Sequence, residues 1–284
     1  MLPSWFNGLW RDRLHFVLSP DKVAVVRYAR GLQSQITLSK SLDCAELQAG
    51  QPLWQPALRA MQKLLAEAGG NADATVTLSS HFVRYALVPA QADLADEVEE
   101  EAYVRFCFSE VFGTANAAQW TFRWAGALAV DQQIASAIDT ALLTALDEAI
   151  GDTDVNLRSV QPYLMSVFNL VRVQMKAAQQ WLVLVEPGSA NLCAFADGEC
   201  TSLRTVRLDE NWQTALPRLL AREFLIADTG NTTKDLLICA PQRIDLGALQ
   251  LKGWNVRALG INASSLLQGK FTPVGVTGAT NARA

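Results

Sequence analysis

"FVLSPDKVAVVRYARG", residues 16–31, aligns without a gap on "VLVEPGSANLCAFADG", residues 183–198, and this pairing decides the fold. Pro20 falls on Pro187, Tyr28 on Phe195, Ala29 on Ala196 and Gly31 on Gly198. Each stretch reads as a strand, a tight turn at Pro-Asp or Pro-Gly, a returning strand and a second turn. A third extended run follows in each copy, "SQITLSKSL" from Ser34 and "CTSLRTVRL" from Cys200. Next comes a helix with apolar residues at helical spacing: "WQPALRAMQKLLAEAG" from Trp54 and "WQTALPRLLAREFLIADTG" from Trp212, which share W-Q-x-A-L. A fourth strand closes each copy, "TVTLSS" from Thr75 and "DLLICA" from Asp235. The same order, βββαβ, thus occurs twice, and matches in two elements in the same sequence favour duplication over coincidental turn chemistry.

The remaining segments expand the first copy. Residues 93–113, with an acid-rich start, predict a helix, and "WTFRW" places Trp120, Phe122 and Trp124 on one face of a strand. A short strand is expected at "ALAVD", residues 127–131, then a long amphipathic helix over residues 133–150. "VNLRSVQP", from Val155, reads as a strand, followed by a helix from Tyr163 to about Met175. The second copy ends with a strand at "WNVRAL", residues 254–259. The expected division is a first half over residues 1–178 with an inserted helix/strand subdomain, a shorter second half over 179–270, and a flexible Gly-rich tail over 271–284.

Half of the 284 residues are hydrophobic, which is ample for a packed core. A net charge of −4 provides no basic field for a phosphate backbone, so nucleic-acid binding is not expected. No apolar run approaches the roughly 20 residues of a membrane-spanning helix. The N-terminus lacks the pattern of a cleaved secretory signal, so the chain is expected to stay in the cytosol. Five scattered cysteines (Cys44, Cys107, Cys193, Cys200 and Cys239) suit reduced thiols, and no spacing predicts a metal centre.

On the paired hairpins, on "LRSVQPYLMSVFNLVR" from Leu157 to Arg172, and on the absence of a span, the sequence resembles the actin-like ATPase superfamily, a duplicated ribonuclease-H-like α/β fold with mixed sheets. More narrowly, it looks like the PilM and MshI group, with the cytoplasmic part of GspL as a cousin. These are assembly proteins of type IV pili, mannose-sensitive pili and type II secretion at the bacterial inner membrane. The resemblance implies a cytoplasmic scaffold that engages the cytoplasmic segment of a membrane-anchored partner of the PilN or MshJ type. An interdomain groove or an exposed sheet edge would receive that segment, and membrane association would run through the partner. Oligomeric state is left open.

The resemblance also implies where a nucleotide would sit. ATP-binding relatives carry an Asp-x-Gly-type turn in each half and glycines after a late strand; the acids place magnesium and water, and the glycines let backbone N–H groups approach phosphate. The corresponding residues here are Ser19, Asp21 and Lys22 in the first turn, and Glu186, Gly188 and Ser189 in the second. The first has neither the leading acid nor the glycine, and Pro20 and Pro187 each remove a donor. "ICAPQRI" stands where late glycines are expected. Phosphoryl transfer needs metal, donors and water positioned together, so these loops argue against efficient hydrolysis. The turns then read as plain hairpin closures; the alternatives are residual Mg-ATP binding without turnover, or a sugar-kinase-like or actin-like ATPase with unusual loops.

Three other features have simpler readings. The acidic run Asp96-Glu97 and Glu99-Glu100-Glu101 suits a solvated helix start, with an electrostatic surface for a basic partner as the alternative. Ser80 and His81 are expected to point to opposite sides of a strand, which disfavours a serine–histidine site. Leu2, Trp5, Phe6, Leu9 and Trp10 predict a short amphipathic arm that packs on its own domain or docks on a partner or the membrane surface.

Overall fold

A computed structural model of the protein describes residues 11–30, 35–124, 126, 128, 132–175, 179–209, 211–226, 234–240, 249, 251–261 and 272–273. The first copy forms β1 (Asp12–Leu18), β2 (Lys22–Ala29), β3 (Gln35–Asp43), α1 (Gln55–Ala68) and β4 (Ala72–Leu78). Next come β5 (Val83–Val88), α2 (Glu97–Phe112), α3 (Thr114–Ala117), β6 (Trp120–Arg123), β7 (Gln133–Asp139), α4 (Thr140–Gly151), β8 (Val155–Pro162) and α5 (Tyr163–Val171), which a 3-10 turn over Arg172–Gln174 extends. The second copy forms β9 (Gln179–Glu186), β10 (Ser189–Ala196), β11 (Glu199–Arg207), α6 (Trp212–Ile226), β12 (Asp235–Ala240), β13 (Asn255–Gly260) and β14 (Thr272–Pro273).

The two principal sheets repeat one topology. The first has the order β3-β2-β1-β4-β8 and the second β11-β10-β9-β12-β13-β14. In each, the first three strands pair antiparallel and the next two add in parallel. The repeat extends to a local irregularity: the register slips between Arg27 and Tyr28 in β2 and between Ala194 and Phe195 in β10, positions that the ungapped alignment superimposes. A bulge is a specific backbone device, so its recurrence at aligned residues is stronger support for duplication than shared strand composition.

Contacts divide the chain into two compact units. One holds residues up to Arg84 with Ala118–Thr121 and Ala137–Ser166; the other holds Tyr85–Ala117, Phe122–Ser136 and the chain from Val167. In the first, Leu14, Phe16 and Leu18 of β1 are fully buried, as the period-two alternation requires, and α1 packs across β1, β2 and β3. Arg27 ties the end of α1 to the sheet. Its Nε donates to Asp12 Oδ2 at 2.7 Å, and a terminal nitrogen donates to the carbonyls of Ala68 and Gly69 at 2.6 and 2.7 Å, satisfying two orphan helix oxygens. Arg27→Ala is expected to cost about 2 kcal/mol in urea unfolding. Lysine should recover little, because a single ammonium cannot reproduce the guanidinium fork; full rescue by lysine would reject this role.

In the second unit, Trp181, Val183 and Val185 of β9, Ala190, Leu192 and Ala194 of β10, and Leu236 and Ile238 of β12 line the face buried under Leu216 and Leu220 of α6. A third sheet has the order β5-β7-β6. Against it, Phe108 of α2 meets Phe122 edge-on with ring centroids 5.0 Å apart, and the Arg105 guanidinium lies 4.7 Å from the Phe122 ring.

Several expectations change. The helix expected over 133–150 divides: residues 133–139 form β7, the central strand of the third sheet, and the helix starts at Thr140. Asp139 caps it, its side chain accepting from the Ala141 N–H at 2.9 Å and from Trp54 Nε1 at 3.1 Å. The 93–113 helix begins only at Glu97, because the Asp96 carboxylate caps the N–H groups of Val98 and Glu99. The "WTFRW" strand stops at Arg123 and leaves Trp124 outside, where its Nε1 donates to Glu100 at 3.0 Å. In the segment expected to be a flexible tail, Thr272 and Pro273 pair with Gly260 and Leu259. The strand at "ALAVD", the arm over residues 1–10 and the rest of the tail lie largely or wholly outside the described residues.

Candidate functional site

Each half presents its candidate loop at the turn between its first two strands, next to the carboxyl end of the parallel strand beside them. In the first half, the Ser79 N–H just past β4 donates to the Leu18 carbonyl at 2.8 Å. In the second, β12 runs parallel to β9 and places Cys239 beside Leu184. Crevices at the carboxyl ends of strands are where open α/β sheets take ligands.

The first turn is closed by its own hydrogen bonds. The Ser19 N–H donates to the Lys22 carbonyl at 3.0 Å, and Ser19 Oγ lies 2.7 Å from both Asp21 Oδ1 and that same carbonyl, so its proton is already committed. The Asp21 carbonyl accepts from the Cys44 N–H at 2.8 Å. Lys22 points to Asp43, Nζ to Oδ1 at 3.6 Å, in an exposed pair of little energetic weight. Burial, with the nearby carboxylates of Asp21 and Asp43 in support, raises the Cys44 thiol above its ordinary pKa. This loop therefore offers a phosphate a spent N–H and a spent hydroxyl, with the Lys22 ammonium and the Asp21 carboxylate beside them.

The second turn differs. Glu186 and Ser189 face each other in register across Pro187-Gly188, and Gly188 sits at φ +78°, the glycine-favouring position of a Pro-Gly turn. Both flanking side chains are buried, at 6% exposure each. The Gly188 carbonyl accepts from the Leu208 N–H at 3.0 Å. Ser189 Oγ is buried and, among the described residues, has no hydrogen-bond partner. Alternation puts Asn191, fully buried, on the same face, where its Oδ1 accepts from Thr205 Oγ1 at 2.8 Å. A line of buried polar groups, Glu186, Ser189 and Asn191, thus runs inward from this turn. The "PQRI" part of the late segment lies outside the described residues.

Among the described residues, no cluster of His, Cys, Asp or Glu is placed to hold a metal, and no helix is long and apolar enough to cross a membrane. A cavity of about 580 Å³ lies at the start of α2, lined by Leu94 to Glu97, Glu100, Arg123, Trp124 and Gly126. The acidic run supplies its N-cap and part of its wall.

His81 is placed differently from expectation. β4 ends at Leu78, and Ser79 to Phe82 form a turn closed by the Phe82 N–H on the Ser79 carbonyl at 2.9 Å. Strand alternation does not apply there, and Ser79 Oγ lies 3.0 Å from His81 Nδ1. Among the described residues no carboxylate hydrogen-bonds the imidazole, so this pair caps a turn. His15 escaped the sequence reading. It is buried in β1 with Nε2 2.7 Å from Thr77 Oγ1 and Nδ1 unpartnered, and burial lowers its pKa to about 4. Its parity within "RLHFVL" put it opposite Leu14 and Phe16, but a strand pattern does not tell whether the second face is covered too.

No known protein-family model and no curated protein sequence matches the chain. Solved structures do match it over almost its whole length. A Bacteroides thetaiotaomicron protein with an actin-like ATPase fold and unknown function superimposes with a TM-score of 0.57 at 12% identity, over 94% of this chain and 98% of that one. The chain has the actin-like ATPase fold. A chain of the PilM–PilN type IV pilus biogenesis complex matches with a TM-score of 0.63 at 14% identity over 89% of each chain. The cytoplasmic domain of EpsL, an inner-membrane component of the type II secretion system of Vibrio cholerae, matches at 0.58 and 12% identity, over 90% of this chain and 93% of that one. Within the actin-like fold, the two βββαβ copies are its duplicated ribonuclease-H-like halves, and the turns at Ser19 and Pro187 are its paired hairpins.

Proposed function

We propose that the protein is a non-catalytic cytoplasmic scaffold of a type IV pilus or type II secretion assembly platform, related to the PilM, MshI and GspL group. In this reading it holds the cytoplasmic segment of a membrane-anchored partner of the PilN or MshJ type, and the halves divide near residue 178. The observation that carries it is the end-to-end match to a chain of the PilM–PilN complex, with 89% of both chains covered. Fold alone hosts many activities, so the closed first turn provides the second support: the Ser19 hydroxyl and N–H are engaged internally. The direct test is calorimetric titration of the purified chain with the cytoplasmic segment of the PilN- or MshJ-type protein from the same organism. Saturable binding is expected; its absence at high micromolar peptide would reject the assembly role.

A second reading is favoured by one observation, the buried Glu186 and the orphaned Ser189 hydroxyl beside Gly188. In that reading the second half retains nucleotide binding, and the chain is an actin-like ATPase or sugar-kinase-like enzyme with degenerate loops. Thermal unfolding with Mg-ATP separates the two. A nucleotide present at 100 times its dissociation constant stabilises a fold by about 2.7 kcal/mol. The scaffold reading expects no shift at millimolar Mg-ATP, whereas a saturable shift abolished by Glu186→Gln would favour the enzyme.

A further inference from the structure

Helix α2 is apolar on two sides. One side packs inward through Val104 and Phe108, both fully buried. A second band, Tyr103, Phe106, Cys107 and Val111, spaced i, i+3, i+4 and i+8, runs from Phe106 on the far side round to Val111, which adjoins the buried side seven residues after Val104. Phe106 is 57% exposed and Val111 66% exposed. An exposed phenylalanine on a helix that has already buried a separate stripe is the observation that needs explaining. Gly113, at φ +90° with its N–H on the Ser109 carbonyl, ends the helix just beyond the stripe.

Charge identifies the occupant. Glu99 and Glu110 lie on the same side of the helix as Phe106, whereas Glu97, nine residues before Phe106, lies on the opposite side. Glu99 Oε2 accepts from the Ala95 N–H at 2.9 Å, and among the described residues Glu110 makes no ion pair. The one cation of the helix, Arg105, is turned away: it pairs with Glu101 at 2.7 Å, donates to the Ala117 carbonyl and stacks on Phe122. Exposed apolar side chains set among the carboxylates of Glu99 and Glu110 attract a segment that carries cations beside its own apolar face. They disfavour a second copy of the same face, which would set carboxylate against carboxylate, and an anionic lipid surface for the same reason.

We propose that the Tyr103–Phe106–Val111 face of α2 is a docking site for an amphipathic helix of a partner protein whose apolar stripe is flanked by lysine or arginine. The site stands whether or not the assembly-platform reading holds. Phe106 is its apolar anchor, and Glu99 and Glu110 set register and orientation.

The probe is a fluorescently labelled Leu/Lys peptide with leucine at helical spacing, titrated with the full chain and followed by anisotropy; its Leu/Glu counterpart is the control. The variants are Phe106→Glu, Val111→Ser and the charge reversal Glu110→Lys, each checked for an unchanged melting temperature. Phe106→Glu adds negative charge, so a purely electrostatic association would strengthen, whereas docking on the stripe should weaken at least tenfold, the scale of an aromatic anchor. Glu110→Lys should weaken binding and flatten its salt dependence. Equal affinity of folded Phe106→Glu, or equal affinity for the Leu/Glu peptide, would overturn the proposal. So would a dimer in sedimentation that Phe106→Glu dissociates, or binding to phosphatidylserine vesicles lost in the same variant.

Discussion

Replacing Trp181 with alanine should destabilise the second unit by about 3–5 kcal/mol, the range for removing a fully buried large aromatic side chain. Trp181 is 1% exposed in β9 and sits at the centre of a triad. Its ring lies 6.5 Å from both Phe224 of α6 and Trp254, and those two meet edge-on at 5.8 Å. The rings join helix, sheet and the start of β13, so truncation leaves a cavity that three separate elements would have to move to fill. Trp181→Phe should cost much less. The indole Nε1 is buried and has no partner among the described residues, so losing it forfeits area while removing an unsatisfied donor. Urea unfolding monitored by circular dichroism reads both variants. An alanine variant within 1 kcal/mol of the parent would mean that this cluster does not hold the sheet to α6.

Acidification should remove roughly 3 kcal/mol of stability through His15 alone. Its folded pKa of about 4 lies below the 6.5 of an unfolded chain, because burial penalises the imidazolium; among the described residues the neutral Thr77 hydroxyl is the ring's one hydrogen-bond partner. Below pH 6.5 the unfolded chain binds a proton that the folded chain refuses, so stability falls as pH drops. The contribution is intact above about 6.5, is lost progressively toward 4, and changes no further below that. At pH 5 the loss relative to neutral pH is about 2 kcal/mol. Carboxylates titrate over part of this window, so the measurement is a comparison. The stability difference between pH 7.5 and pH 5 should shrink by about 2 kcal/mol in His15→Gln, which keeps a polar partner for Thr77 and does not titrate. The same pH dependence in both proteins would show that the imidazole is not the group responsible.

Much of the architecture was legible because duplication writes the same physics twice. Pro20 and Pro187, Tyr28 and Phe195, and the W-Q-x-A-L openings at Trp54 and Trp212 each mark an element boundary set by local chemistry, and the structure places those boundaries within a few residues of expectation. The candidate loops were legible only as positions. That the Ser19 hydroxyl is spent on Asp21 and Lys22, whereas the Ser189 hydroxyl is buried and unpaired, depends on what the neighbouring strands bring near each turn. The turn residues alone carry no record of that.

Local sequence by itself determined the paired βββαβ order, the helix caps and the turn chemistry, since each rests on side chains a few residues apart acting on their own backbone. Tertiary structure decided the rest. Residues 133–139 contain Ala, Ile and Ser in an order that suits a helix face as well as a strand; they are extended because β5 and β6 flank them and take up their backbone hydrogen bonds. Burial of His15 and exposure of Phe106 were settled the same way, by which surfaces found a neighbour, a quantity no short window of residues contains.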